Sequence, residues 1–524
     1  MIERVIENWL TSVNERQYQL PFCQVLAHMG EAVTYVSTHG QFELGKDVIS
    51  VGKDGIPNAY QLKAGKVSMT EWRNFQGEIQ QLVEYPIDSP SLPRRLKEHR
   101  PFLVTNGQIN DTVMNAIRHA NESWKRRRFK QLQIIDGNKL QTLFKEAHGS
   151  YLPREPGDLE LFLKLYVVSG QEPLAKEQFA KFLESILPLN YAHRPHREVQ
   201  RAITSAILLT SYTLQSRTQK GNWWAIFEAW VIMGSYILAS TQKFSTPEKW
   251  WRSSFDLCQD GALQALESLL DECEKNTTGF VEPNLAEGYF FGSRMTILAG
   301  LLSAYDLAIR IQRKQPPGDF IGKFLGTYLP KAKFWGESAT PFFLVAALAS
   351  ETRGSQRKAE RLIYQLVSTI ADQNGRHGRG LPNPYYGPEE SIRLSIEGLE
   401  TTNLETFTGI SYSLESLVHF LARRWLRVHL SLVWSKITSV HYAAFRPAED
   451  WQWFTWKSPD GALETLSPGT PQSWSALVKD AENFDKGDVP SILRSEPVFA
   501  LFFALVFAHR FQPGLLKVVE HAVG

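Results

Sequence analysis

Cysteine is scarce in this chain of 524 residues: there are three, Cys23, Cys258 and Cys273. They lie far apart or at no metal-ligand spacing, which excludes a disulfide framework and a zinc knuckle and fits a reducing, cytoplasmic setting. A surplus of one charge is also missing. Lys and Arg number 57 against 55 Asp and Glu, a net charge of +2, so any nucleic-acid surface must be a local patch. Long apolar runs are missing too. The two longest, residues 225–240 and 497–508, fall short of the 18 or so apolar residues that a membrane span needs, and Glu228 interrupts the first. Both read as buried helices, and no membrane partner is expected. The opening MIERVIENWL carries acidic residues and no basic stretch ahead of an apolar core, unlike a signal peptide. Neither a Walker A loop, nor H-E-x-x-H, nor a serine-hydrolase elbow occurs, which argues against a nucleotide-driven motor.

What is present is globular: 43% hydrophobic and 21% charged residues, at a length that suggests two to four domains. Residues 2–29 have helical periodicity. Short β-like runs follow at 32–36, 47–51, 59–63, 101–105 and 132–135, separated by helical stretches at 70–84 and 111–128. Alternating strands and helices predict an α/β domain over residues 1–152. After the Pro- and Gly-containing stretch 151–157 the pattern turns helical, with candidates at 198–215, 223–239, 260–274, 294–312, 356–372 and 414–432. The Gly- and Pro-rich segment 375–390 suggests a break, giving helical domains at 158–375 and 390–524, the latter with a possible short β element at Trp451–Trp456.

The stretch from His39 to Lys63 carries the chemistry. Asp47 begins an apolar β-run, Lys53-Asp54-Gly55 supplies a turn, and a second run ends in Gln61-Leu62-Lys63. Alternation along a strand puts Gln61 and Lys63 on one face. A three-residue loop at Lys53–Gly55 sets Asp47 opposite Gln61, whereas a two-residue turn at Asp54-Gly55 sets it opposite Leu62, on the wrong face, so an odd-length loop is expected. Phosphodiester cleavage needs a hard cation to neutralise the phosphate and activate water, and magnesium is commonly held by one or two carboxylates plus waters. In this reading Asp47 is the principal ligand for Mg2+ or Mn2+. The Gln61 carbonyl oxygen or the Leu62 backbone carbonyl completes the protein's share. Lys63 holds the attacking water or the charge that develops in the transition state. Gln-x-Lys recurs at Gln312 and Gln356, but in helical surroundings with no Asp at hairpin distance.

With Gly30, then Gly45-Lys46-Asp47, then Gln61-Leu62-Lys63, and a later Ile135-Asp136-Gly137 followed by Leu140, the first 150 residues resemble the Mrr-type restriction endonucleases of the PD-(D/E)xK class found in prokaryotic defence proteins. The resemblance implies a restriction-endonuclease-like α/β domain followed by a mostly α-helical region. It also implies a metal-dependent endodeoxyribonuclease acting on DNA in antiviral defence. Such families often carry a Glu in the first helix near the metal. The position counted back from Gly30 is Gln19, with Glu15 one turn earlier. Glu43, four residues before Asp47, is the competing second carboxylate.

His39, before a Gly, is a candidate DNA contact or an ordinary turn histidine. Residues 1–150 hold 19 Lys and Arg against 16 Asp and Glu, concentrated at 94–100 and 125–130. Charge runs are usually solvated faces, but beside a nuclease site Lys125, Arg126, Arg127 and Arg128 become candidate phosphate contacts. Gln76 and Gln80 are expected in solvent, and Asp306 with Arg310 as an ordinary helical ion pair. The helical region is expected to serve as a sensor or oligomerisation module, with another defence-system protein or a second copy of the chain as partner.

Overall fold

A computed structural model describes residues 2–523 apart from 38–44, 53, 88–98, 149–155, 188, 277–287, 314–317, 376–377, 383, 392–405, 457–460, 467–468, 471–472 and 484–488. His39, Glu43 and the basic residues Arg94, Arg95 and Lys97 therefore lie outside the described residues.

The N-terminal part is built from α1 (Ile2–Ser12), α2 (Glu15–His28), β1 (Ala32–Val36), β2 (Val48–Val51), β3 (Pro57–Lys63), α3 (Met69–Glu84), β4 (Arg100–Thr105), α4 (Asp111–Arg126), β5 (Gln133–Ile135) and α5 (Gly137–His148). The strands form one mixed sheet in the order β1-β2-β3-β4-β5. β1, β2 and β3 are antiparallel neighbours, whereas β3, β4 and β5 run parallel. Each expected strand and both intervening helices are found, so the α/β character of this region follows from its apolar periodicity.

Apolar side chains of alternate strand residues fill one face of the sheet. Ile49, Ala59 and Leu103 pack there with Phe75, Ile79 and Leu82 of α3 and Val113 and Ile117 of α4. On α3 the spacing 75, 79, 82 is the helical stripe that such a face requires. The opposite face carries Tyr60, whose ring meets Phe22 of α2 edge-on at 5.3 Å and stacks on Phe102 at 4.8 Å.

The rest of the chain is mostly helical. Next come α6 (Pro156–Tyr166), α7 (Lys176–Ile186), α8 (His196–Thr213), α9 (Gln215–Gln219), α10 (Trp223–Lys243) and α11 (Arg252–Lys275). Later helices include α12 (Gly288–Arg313), α13 (Phe320–Tyr328), α14 (Thr340–Thr352) and α15 (Gln356–Asn374). The chain divides into two compact units, Met1–Gly261 and Ala262–Gly524. These boundaries differ from those read in composition (1–152, 158–375, 390–524), and the reason is packing. Gln24 of α2, fully buried, donates to Thr204 of α8 and Ser254 of α11, each at 3.0 Å. The ring of Trp9 on α1 sits 4.8 Å from that of Tyr212 on α8. The change of periodicity after residue 152 marks a change of element type, not the edge of a core.

α10 is the one described helix long and apolar enough to cross a membrane, and 94% of its apolar window is buried within the protein. Its Glu228 pairs with Lys176 at 2.6 Å. In the second unit Asp306 takes Arg310 at 2.8 Å as expected, and also Arg353 at 2.7 Å. Two local readings are corrected. Asp450–Phe454 forms a 3-10 helix rather than the strand its alternation suggested, because Trp453 and Phe454 are consecutive buried residues. The β element of this region lies instead at His441–Pro447, paired with Gly461–Leu466 and Ile410–Ser411. The helix expected over 414–432 is split into Leu414–Arg423 and Arg427–Ser431, with Trp425 between them at φ 57°.

Candidate functional site

The β2–β3 ladder pairs Val48 with Tyr60 and Val51 with Pro57, so its continuation sets Asp47 across from Gln61. The connecting loop, residues 52–56, is odd in length, as a shared face for Asp47 and Gln61 requires. It is closed by the Gly55 N–H donating to the Gly52 carbonyl at 3.0 Å.

Asp47 is clamped across the mouth of this hairpin. Its N–H donates to the Tyr60 carbonyl at 2.8 Å, and its Oδ2 accepts the Leu62 N–H at 2.6 Å. Gln19 of α2 donates to the Asp47 carbonyl at 3.2 Å. The chain reaches Asp47 through Gly45, at φ +71°. A Cβ there would fall 2.3 Å from the Glu78 carbonyl oxygen of α3, so only glycine permits the turn to press against that helix. Lys46, 3% exposed, follows the turn inward, and burial pushes its ammonium down to about 8.

Gln61 and Lys63, on the same strand face, both turn to Glu78. Lys63 Nζ meets Glu78 Oε2 at 2.7 Å and Gln61 Nε2 donates to the same oxygen at 3.4 Å. The Lys63 ammonium also lies 5.2 Å from the Phe75 ring centre. Glu15, at the first turn of α2, accepts the Ala64 N–H at 3.2 Å, which brings it to the carboxyl end of β3 beside Lys63. Tyr18 joins the two sides: its hydroxyl donates to the Lys63 carbonyl at 2.8 Å. Burial, with the Glu15 and Asp47 carboxylates nearby, holds that hydroxyl protonated well above its usual range.

Asp47, Gln61, Leu62, Lys63 and Glu15 are thus gathered at one end of the hairpin. Sequence reasoning missed Glu78, although the helical stripe contains its signal. It falls between buried Phe75 and Ile79, at the margin of the face that α3 turns to the sheet, whereas Gln76 and Gln80 are exposed as expected.

The basic cluster is elsewhere. α4 starts after the carboxyl end of β4 and runs back along the sheet, so its last turn, with Lys125 and Arg126, lies at the opposite end from Lys63. Sixteen residues at 1.5 Å each make that separation about 24 Å along the helix. Lys125 to Arg128 are all exposed, and Arg127 is bound to Glu84 at 2.7 Å.

At the carboxyl edge two loops touch: a Cβ on Gly107 would lie 2.2 Å from the carbonyl carbon of Gly65. Asn106 locks them together. Its Oδ1 accepts the Gly65 N–H at 2.6 Å and its Nδ2 donates to the Leu10 and Val13 carbonyls at 2.6 and 2.8 Å.

As to a metal, no group of three or more His, Cys, Asp and Glu side chains suited to holding one is found among the described residues. The side-chain donors at this end of the hairpin are mostly oxygens. Two are orphaned: the side-chain carbonyl oxygens of Gln61 and Gln19 are buried and accept no hydrogen bond. Glu15, Asp47 and Glu78 supply carboxylate oxygens at this end of the hairpin, with Lys63 and the buried Lys46 as the cations beside them. These are hard oxygen donors, suited to a magnesium-like ion that keeps several waters and unsuited to a soft metal. Comparison with family models, with curated proteins and with solved structures finds no match to this chain.

Proposed function

We propose that this chain is a metal-dependent nuclease that hydrolyses phosphodiester bonds in DNA, with residues 1–148 adopting a restriction-endonuclease-like arrangement. One observation carries the reading. The odd-length hairpin sets Asp47 across from Gln61 and on the same face as Lys63, with the buried side-chain oxygen of Gln61 left without a hydrogen bond. The succession of helix, strand, Asp-bearing strand and Gln-x-Lys strand supports the same reading, because the resemblance to Mrr-type enzymes calls for it. Antiviral defence as the setting, cytoplasmic location and a homo-oligomer or defence partner belong to this proposal too.

Asp47, the Gln61 side-chain oxygen and the Leu62 carbonyl would hold Mg2+ or Mn2+, with Glu15 as the second carboxylate. The ion would supply charge neutralisation at the phosphate and a more acidic water. In the reaction a water oxygen bonds to phosphorus and the bond from phosphorus to the leaving oxygen breaks. Lys63 is placed to stabilise the negative charge on the phosphoryl oxygens, exchanging its Glu78 partner for substrate. Glu78 then acts as a positioning residue that holds the ammonium in the site when DNA is absent. The buried aromatic residues beneath β3, Tyr60 and Phe22, keep the strand rigid under this exchange.

A second reading has its own observation. Gln61 stands where a carboxylate makes a stronger metal ligand, and Lys63 is already neutralised by Glu78. Both suit a nucleic-acid-binding module without cleavage. Nicking of supercoiled plasmid separates the two. The nuclease reading expects nicking in magnesium or manganese and none in EDTA, with Asp47→Asn inactive but still able to bind DNA. Equal, metal-independent behaviour of wild type and Asp47→Asn supports the binding module.

A further inference from the structure

In the second unit several arginines are matched to acids. Arg310 and Arg353 share Asp306, and Arg423 and Arg424 share Glu520. Another stretch gathers exposed cations on two adjoining helices. Arg357, Lys358 and Arg361 on α15 and Arg427 on the short helix Arg427–Ser431 are exposed, and none has an acidic partner among the described residues. Arg357, Arg361, Tyr364 and His429 line a groove of about 590 Å³ between these helices, which Glu360 and Gln365 complete. Its floor is aromatic: the Tyr364 and His429 rings meet edge-on at 5.4 Å.

Beside the groove stand three bare apolar side chains. Trp425, Val428 and Leu432 are 66%, 76% and 72% exposed, although they fall within eight residues of one another. Val428 and Leu432, four residues apart, share one side of the short helix, and Trp425 stands just before its start. Trp425 holds φ 57°, a left-handed conformation unfavourable for a bulky residue. That strain is maintained to end the preceding helix and project the indole outward, and strain of this kind clusters at binding sites.

We infer that this groove and its apolar rim form a docking surface for an acidic segment of a partner protein that also carries apolar anchors. Charge complementarity sets the acidic part. Arg357 and Arg361 line the groove against the single acid Glu360, with Lys358 and Arg427 exposed on the same two helices, and this excess of cations favours carboxylates. The apolar rim sets the rest. Trp and Arg are the side chains that most often dominate protein interfaces. Val428 and Leu432, exposed aliphatics, offer nothing to phosphates or sugars, so protein is favoured over nucleic acid. The inference does not depend on the nuclease reading, since both helices belong to the second unit.

The test is selection of a random peptide library displayed on phage against the intact protein. Two variants serve as controls: Trp425→Ser with Leu432→Ser, and Arg357→Glu with Arg361→Glu. All four positions are exposed, and matching unfolding curves confirm that the variants fold. The expected result is enrichment of peptides combining Asp or Glu with Trp, Phe or Leu, with affinity falling at least tenfold in each variant. Three results overturn the inference. One is no enrichment that depends on these residues. Another is single-stranded oligonucleotide bound through them as tightly as the selected peptides. The third is a wild-type dimer in sedimentation that the Trp425 and Leu432 substitutions render monomeric, which assigns the surface to a second copy.

Discussion

At the scale of single residues, the Asp47 carboxylate has two jobs that substitution separates. It accepts the Leu62 N–H at 2.6 Å and, in the proposed mechanism, binds the metal. Asp47→Ala strands that backbone donor, at a cost of about 1–3 kcal/mol, whereas Asp47→Asn retains an acceptor oxygen. Denaturant unfolding should therefore show Asp47→Ala clearly destabilised and Asp47→Asn close to wild type; equal losses would mean that the hairpin clamp is not the Leu62 bond. A second residue-scale effect concerns acid. His419 is 2% exposed, and burial together with Arg423 and Lys517 lowers its pKa from the ordinary 6.5 to about 3. A base depressed in the folded state binds more protons when unfolded between those two values, so stability falls as the pH drops from 6.5 towards 3. The slope is about 1.4 kcal/mol per pH unit for one such group. His419→Leu should unfold with a shallower dependence over that window, and parallel curves for the two proteins would contradict the assignment. Among site residues, Asp47, Gln61 and Lys63 were legible because strand alternation and loop parity fix their relation. Glu78 was not, since the phase of a helix against a sheet is set by packing that periodicity alone does not give.

Elements show the same division between what local pattern decides and what packing decides. The hairpin register followed from one odd-length loop, and α3 and α4 from their apolar stripes. The placement of the basic cluster did not, because sequence nearness to the sheet says nothing about which end of a helix approaches the site. In the proposed nuclease, the last turn of α4 lies about 24 Å along the helix from its start, so a duplex laid along α4 would meet Arg126 and Arg128 some seven base pairs from the cut, taking about 3.4 Å per base pair. Reversal of Arg126, Arg127 and Arg128 to Glu should then weaken binding to a 30-base-pair duplex and flatten its salt dependence. The log–log slope should fall by about 0.9 for each phosphate that the protein no longer neutralises. An 8-base-pair duplex should bind the variant and wild type alike. An unchanged slope on the long duplex would make the cluster a solvated helix end with one ion pair to Glu84. The break at Trp425 was hidden for a related reason: 414–432 keeps a helical period through it, and only the backbone reveals the turn.

For the whole molecule, the compact unit Met1–Gly261 changes what a fragment can be expected to do. Residues 1–155 alone would expose Trp9 and Gln24, which the intact protein covers with α8 and α11. Such a fragment should aggregate or lack a cooperative transition, whereas residues 1–275, ending with α11, should unfold cooperatively. A well-folded 1–155 would show that the helices beyond it are dispensable to the sheet. Whether Asp47, Gln61, Lys63 and Glu15 together cut DNA, as proposed, is decided by Lys63→Ala in the intact protein. With purity checked by mass spectrometry, magnesium-dependent plasmid nicking would be timed for both proteins. A positioned electrostatic group is commonly worth about 10²–10³ in rate, so Lys63→Ala should lose that much activity with the fold retained. Nicking at the wild-type rate by Lys63→Ala, or none by the wild type in either magnesium or manganese, would contradict the proposal.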